Sequence, residues 1–324
     1  MFKLIRLKKA IPFMSLGPYT GVLACVCVAI AIGLLCVKGL TFGLHFTGGT
    51  VIELGFSKSM PPAEVTKILD GAGIEPSSVQ QFGSSSDVAV RIQPKEGVDQ
   101  KALSNKVFST VKAVHSDVKL IRVEYIGPSV GEDLVYGGLV SLAVSLLAIL
   151  IYVAFRFQWK FGTAAILSLV HDTMLTLGVF SLFDIEFDMT VLAALLTIIG
   201  YSLNDTIVVF DRIRENARIM RNETMPNIID LAISQTLSRT IITSGTTLFT
   251  TVALLIFGGT MIFGFSLAMT LGICFGTFSS IYVASYSAIL MGATRENLLP
   301  PPPPVMDEKE IDEINILNAR MLAM

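Results

Sequence analysis

His171, Asp172 and Asp205 lie inside long apolar runs, and Arg239 stands at the lip of another. Leaving one charge in hydrocarbon costs roughly 2.5–3.5 kcal/mol on insertion scales, so such groups have a partner or a task. Steps of three and four place Thr197, Tyr201, Ser202, Asn204 and Asp205 largely on one helix face. Ser168, Asp172 and Thr176 recur every four residues, with His171 adjacent. Gln235, Ser238, Arg239, Thr243, Thr246 and Thr247 form a third polar stripe. By helix rise, Asp205 lies about 8 Å inside the basic end of its span and Asp172 about 17 Å inside. Arg239 enters from that same end, so Asp205 and Arg239 could meet. A carboxyl group whose guanidinium partner comes and goes changes its proton affinity with conformation. One charge crossing 100 mV is worth about 2.3 kcal/mol, which shifts a two-state ratio about fiftyfold. Proton coupling to motion is therefore the expected chemistry. Its rivals are a static Asp205–Arg239 ion pair and plain helix–helix hydrogen bonding by His171 and Asp172.

The elements that must position these residues are membrane helices. Hydrophobic residues make up 52% and charged residues 15% of the chain, and mean hydropathy is +0.67. Soluble domains average about 25% charged. Six runs are long enough to cross a bilayer: residues 19–38, 134–155, 161–183, 189–210, 240–259 and 263–291. Basic residues gather in the N-terminal segment 1–18 (Lys3, Arg6, Lys8, Lys9) and after the second and fourth spans (Arg156, Lys160; Arg212, Arg214, Arg218, Arg221). The positive-inside rule then makes both termini cytoplasmic and sends residues 39–133 outward. Trp159 beside Lys160 fits an interfacial anchor. Gly272 and Gly276 form a GxxxG that predicts close helix packing, within this chain or against another. Cys25, Cys27, Cys36 and Cys274 all lie in spans and read as small apolar residues.

Residues 39–133 alternate strand and helix signals. Ile52, Leu54 and Phe56 share one strand face; Val65, Ile68, Leu69 and Ala72 follow helical spacing; Val79–Phe82 and Asp87–Gln93 read as strands. Val98–His115 reads as a helix and Val118–Ile126 as a strand. That order is β-α-β-β-α-β, a ferredoxin-like α+β domain set between the first and second helices. The tail, 292–324, carries Pro300–Pro304 and an acidic run from Asp307 to Glu313, a stiff linker followed by a solvated or docking segment. Neither a GxxxxGK[ST] nor an HExxH motif is present. The chain is expected to be no enzyme, with no catalytic residues, cofactor, metal or nucleic-acid partner.

Three stretches carry a family resemblance: Gly43-Leu44-His45-Phe46-Thr47-Gly48-Gly49-Thr50, Gly127-Pro128-Ser129-Val130-Gly131, and Gly200-Tyr201-Ser202-Leu203-Asn204-Asp205 with the Asp211–Asn216 run. Thr236–Thr240 and Thr243–Thr247 also fit. They resemble the SecD/SecF family of the resistance–nodulation–division superfamily, over about 90% of the chain. The resemblance implies a multi-pass protein of the bacterial inner membrane. It implies SecD as a partner giving twelve helices, the SecYEG channel and YajC as further partners, and unfolded exported proteins as substrate. It also implies use of the proton-motive force in late export, with Asp205 and Arg239 at the positions linked to proton passage. Gly43, Phe46, Gly48 and Gly49 match the family's motif after the first helix, where His45 replaces a usual Asp. Competing readings are a half-size proton- or sodium-coupled transporter of the superfamily, a passive assembly subunit, and an intramembrane aspartyl protease using Asp172 and Asp205.

Overall fold

The computed structural model describes residues 10–82, 84–93 and 100–298. The basic residues of segment 1–9, the first two residues of the expected 98–115 helix and the tail from 299 onward lie outside them. A 3-10 turn (Phe13–Leu16) leads into α1 (Gly17–Val37), β1 (Thr41–Phe42) and α2 (Leu44–Thr47). The α+β domain follows as β2 (Gly49–Gly55), α3 (Pro62–Gly71), β3 (Ser78–Phe82), β4 (Ser84–Ile92), α4 (Gln100–Val114) and β5 (Lys119–Ile126). Then come α5 (Pro128–Arg156), α6 (Trp159–Leu182), β6 (Glu186–Phe187), α7 (Met189–Ile219) and α8 (Met225–Phe257). The sixth span is α9 (Phe263–Phe278), a π-helical turn (Ser279–Val283) and α10 (Ala284–Leu290).

Six helices are thus long and apolar enough to cross a membrane. Three overrun the spans expected from composition: α5 starts at Pro128, α7 runs on to Ile219, and α8 starts at Met225. Hydropathy marks where hydrocarbon is tolerated, whereas a helix continues as long as its backbone bonds and side-chain packing do. The overhangs of α7 and α8 are packed together, with Asn216 Nδ2 donating to Gln235 Oε1 at 3.1 Å and Ile213, Ala217, Ile228 and Ile233 buried.

Burial sorts the helices. Half or nearly half of the apolar windows of α6, α7 and the sixth span is buried (50%, 56% and 44%), against 11%, 6% and 17% for α1, α5 and α8. Buried polar residues are therefore concentrated on α6, α7 and the sixth span, with α8 adding Ser244 and Thr251 on its inner face. α1 is fastened to α6 where Gly178 lets Ala31 approach. Ser181 Oγ caps the α1 end by donating to Gly39 O at 2.6 Å, and Lys38 pairs with Asp184 at 2.7 Å.

The α+β domain has the expected element order. Its sheet runs β3-β4-β2-β5, all antiparallel. α3 and α4 bury Val65, Leu69, Val107 and Val111 against Ile52, Leu54, Val88 and Val90. The turn after α1 is the joint between this domain and the helices. Gly48 and Gly49 have φ of +65° and +116°, values that side chains beyond glycine rarely adopt. A Cβ at Gly43 meets Asp188 Cβ at 2.9 Å, and one at Gly131 meets Gly48 N at 3.3 Å. Phe46 stacks on Phe187 with centroids 5.6 Å apart, and β1 pairs in parallel with β6. Arg91 locks the sheet to this joint through Glu186 (2.7 Å) and Phe42 O (2.9 Å). His45 lies 3.8 Å from Glu124, which also pairs with Arg122.

Two outcomes test this account. Gly49→Ala is expected to cost about 1–3 kcal/mol from strain at positive φ, read as a lowered thermal midpoint of the purified chain. Gly33→Ala, with open space around its Cβ, gives no such loss. Burial lifts the Glu53 carboxyl above the ordinary carboxylate range, with Arg122 opposing. The folded state then holds this proton more tightly than the unfolded chain. Its contribution is greatest at low pH and falls as pH rises from the ordinary value through the raised one. Glu53→Gln accordingly slows amide exchange of β2 at pH 7 and loses that advantage at pH 4.

Candidate functional site

Asp172 stands where three spans meet. Its Oδ2 accepts from Ser202 Oγ of α7 at 2.6 Å and from Ser279 Oγ at the π-helical turn at 2.7 Å. Its Oδ1 is 2.9 Å from His171 Nδ1. Ser168 Oγ, one turn earlier on α6, donates to Ser279 Oγ at 3.0 Å. Each of these five residues is at most 4% exposed. A buried charge is tolerable only with such donors around it. The backbone provides the room: a Cβ on Gly276 comes within 3.1 Å of Ser202 Cβ and 3.6 Å of Asp172 Oδ2. Gly272 similarly receives Ile198. The GxxxG thus packs α9 on α7 inside this chain. Just beyond it the helix takes its π-helical turn, where Ser285 Oγ bonds Ser280 O, five residues back.

Asp205 is the second enclosed acid, 4% exposed. Its one hydrogen bond among the described residues is long, from Ser244 Oγ of α8 at 3.5 Å. Ser244 in turn accepts from Thr277 Oγ1 of α9 at 2.9 Å. The two clusters adjoin, because Gly276 faces Ser202 and the next residue, Thr277, reaches Ser244. Ser202 and Asp205 are three residues apart, about 4.5 Å of helix rise. Beside Asp205, the buried Thr206 hydroxyl has no hydrogen-bond partner among the described residues.

Several expectations need correction. Asp205 and Arg239 make no ion pair within 4.0 Å among the described residues. α8 brings Ser244 level with Asp205, so Arg239 lies five residues, about 7.5 Å of rise, nearer the arginine-rich end, and is exposed. Asn204 does not join the stripe: it is exposed while Ser202 and Asp205 are buried, since steps of one and two point to different helix faces. Tyr201 is half-buried and reaches Thr247 Oγ1 at 3.5 Å. Depths counted from span ends put the two acids about 9 Å apart along the membrane normal, but Asp172 is level with Ser202, so the offset is nearer one turn. The two carboxylates share no hydrogen bond, which removes the geometry an aspartyl-protease dyad needs. Among the described residues no group of three His, Cys, Asp or Glu side chains could hold a metal. Sequence reasoning did not assign Ser279, Ser244 and Thr277 to the site. Their signal was present as hydroxyls one helical step from Gly276 or within the α8 polar run, but which acid each serves depends on helix pairing.

Comparison with known proteins adds a family. Residues 106–294 match the family model described as protein export membrane protein SecD/SecF, C-terminal, and residues 33–60 match the SecD/SecF GG motif. The protein translocase subunit SecF of Vibrio alginolyticus is 47% identical over 302 residues, covering 93% of this chain and 96% of the relative. That of Pseudomonas aeruginosa is 46% identical over 293 residues, covering 90% and 94%. The crystal structure of SecDF from Thermus thermophilus, a translocon-associated membrane protein, superposes with a TM-score of 0.80 at 35% identity. It covers 89% of this chain, which spans 40% of that longer one. SecDF in a super-membrane-facing form scores 0.63 at 34% identity and the same coverage.

The hydroxyl network has a measurable strength. Ser202→Ala and Ser279→Ala are each expected to cost about 1–3 kcal/mol by leaving a buried carboxylate short of a donor. In a double-mutant cycle the two losses are non-additive, because both hydroxyls bind the same oxygen. Thermal unfolding of the purified variants checks both the size and the coupling.

Proposed function

The chain belongs to the SecD/SecF family of protein-export membrane proteins, on its SecF branch, and we propose that it uses the proton-motive force to promote late steps of protein export. In this reading it sits in the bacterial inner membrane with both termini cytoplasmic and the α+β domain outside. SecD is its partner, and SecYEG, with YajC, is the channel assembly it serves. Unfolded exported proteins are the substrate. Two features favour a partner of its own kind: the SecDF chain is more than twice as long as the part matched here, and a polar strip of α7 and α8 (Thr197, Asn204, Arg239, Thr246) stays exposed. In hydrocarbon such groups need facing helices.

The observation that carries the proposal is the unequal binding of two enclosed acids. Asp172 has three short partners and pins α6, α7 and the sixth span. Asp205 has one long hydrogen bond and an arginine about a turn and a half away. It is the acid free to change partners, exchanging Ser244 for Arg239 as α8 slides or the bundle rearranges. Such exchange alters proton affinity in each state, which is what coupling requires. His171, Tyr201 and Asn204 flank the route. The competing passive-subunit reading draws on the same saturated Asp172 cluster, which by itself is sufficient helix glue.

Asp205→Asn separates them. In inverted vesicles with an imposed proton gradient, gradient-dependent export is expected to fall about 5–150-fold, the range of ordinary coupling energies, while SecD still copurifies. Undiminished export defeats proton coupling through Asp205, and lost copurification assigns the residue to assembly. Imposing proton and sodium gradients separately identifies the ion.

A further inference from the structure

A cavity of about 330 Å³ opens where α5 turns into α6 beside α7, at the arginine-rich end of the bundle, with Phe210 about a turn and a half along α7 from Asp205. Its floor is aromatic: Phe161 packs edge-on against Phe210 at 5.1 Å, and Phe157 against Phe210 at 5.7 Å. Phe161 and Phe210 are both 1% exposed, so this floor is fixed by the core. Its polar rim is Arg156, Gln158 and Arg214. Asp211 is already paired with Arg156, and Glu215 with Arg212 at 2.6 Å. Lys160 and Arg295 are bonded to the carbonyls of Gly292 (2.5 Å) and Ala217 (2.7 Å). The Arg214 guanidinium makes no hydrogen bond or ion pair with any described residue, yet it lines a cavity.

We infer that this cavity binds the phosphate headgroup of an anionic phospholipid. A guanidinium presents paired donors that match a phosphate, and basic pockets between membrane helices suit anionic headgroups. The aromatic floor accepts the glycerol and first acyl carbons. Location argues for a lipid as the source of that phosphate. Phe155 and Trp159 on the same turn are 90% and 71% exposed, and Lys160 lies 5.9 Å over the Trp159 ring, the arrangement of a membrane–water boundary. The volume, near the lower end for small-molecule sites, suits a headgroup rather than a whole lipid. A lipid held here ties the ends of α5, α6 and α7, and therefore the helices that carry Asp172 and Asp205. The inference requires only that the chain spans a membrane and is independent of proton coupling.

Native mass spectrometry of the full-length chain copurified with SecD tests it, with phosphatidylglycerol and phosphatidylcholine as probes. Arg214→Gln is expected to lower phosphatidylglycerol retention about fivefold, as for one basic contact of about 1 kcal/mol. Arg214→Lys retains most of it, Arg218→Gln on the exposed surface changes nothing, and phosphatidylcholine retention is the same throughout. Equal loss in Arg214→Gln and Arg218→Gln overturns the site in favour of diffuse surface charge. Equal retention in wild type and Arg214→Gln also overturns it. Displacement by millimolar inorganic phosphate reassigns the cavity to a free anion. That result defeats the lipid proposal.

Discussion

A carboxylate inside a lipid-facing bundle must be surrounded by donors, and that requirement organises the centre of this protein. Asp172 draws hydroxyls from α7 and the sixth span to α6. Hydroxyls are short, so the helices must come close, and closeness needs Gly276 and Gly272 on α9. The enclosed helices are accordingly α6, α7 and α9, while α1, α5 and α8 remain at the periphery. Apolar packing alone gives little reason for this grouping, because lipid is as apolar as a leucine side chain. Directional bonds to one buried oxygen select which helices touch and in what register.

The joint beneath the α+β domain obeys a different constraint, that of backbone shape. Between α1 and β2 the chain must leave the membrane, form the single turn of α2 and reverse into the sheet. Gly48 and Gly49 permit the reversal through positive φ, and Gly43 and Gly131 permit contact with Asp188 and Gly48. The Phe46–Phe187 stack and the Arg91 clamp tie the reversal to the loop before α7. The domain is therefore connected to the same helix that carries Ser202 and Asp205. A displacement of α7 relative to its neighbours has a short, packed route into the sheet.

How much of this was legible from the residues alone depended on range. Alternation in Ile52–Phe56 and Val88–Ile92, and helical spacing in Val65–Ala72, identified the domain topology because each is a local pattern with one buried face. Titratable residues in apolar runs identified the acids because their cost is local too. Contacts were harder. Asp205 and Arg239 could meet as far as their common end of the membrane goes, yet α8 crosses α7 at Ser244, a fact of helix register that no single helix encodes. Asn204 was placed on the stripe by its step of three from Tyr201, although it lies only one residue, a 100° turn, from Asp205. Ser279 carries no local signal that sets it apart from the other small residues of its helix. Its hydroxyl acquires a task only once α9 is laid against both α6 and α7.

The π-helical turn at Ser279–Val283 supplies the last link between these constraints. A π turn accommodates one extra residue, and such turns occur mostly at functional sites. Here it follows immediately after the GxxxG contact and begins at the residue that donates to Asp172. An unbroken α-helix through this point rotates everything after it relative to Gly272 and Gly276. The segment then cannot hold close packing against Ser202 and the Ser279–Asp172 bond while keeping Ala284 and Ala288 in the core. The local irregularity lets one helix satisfy two registers at once. It also costs backbone regularity at a place where the bonds to a buried acid compensate.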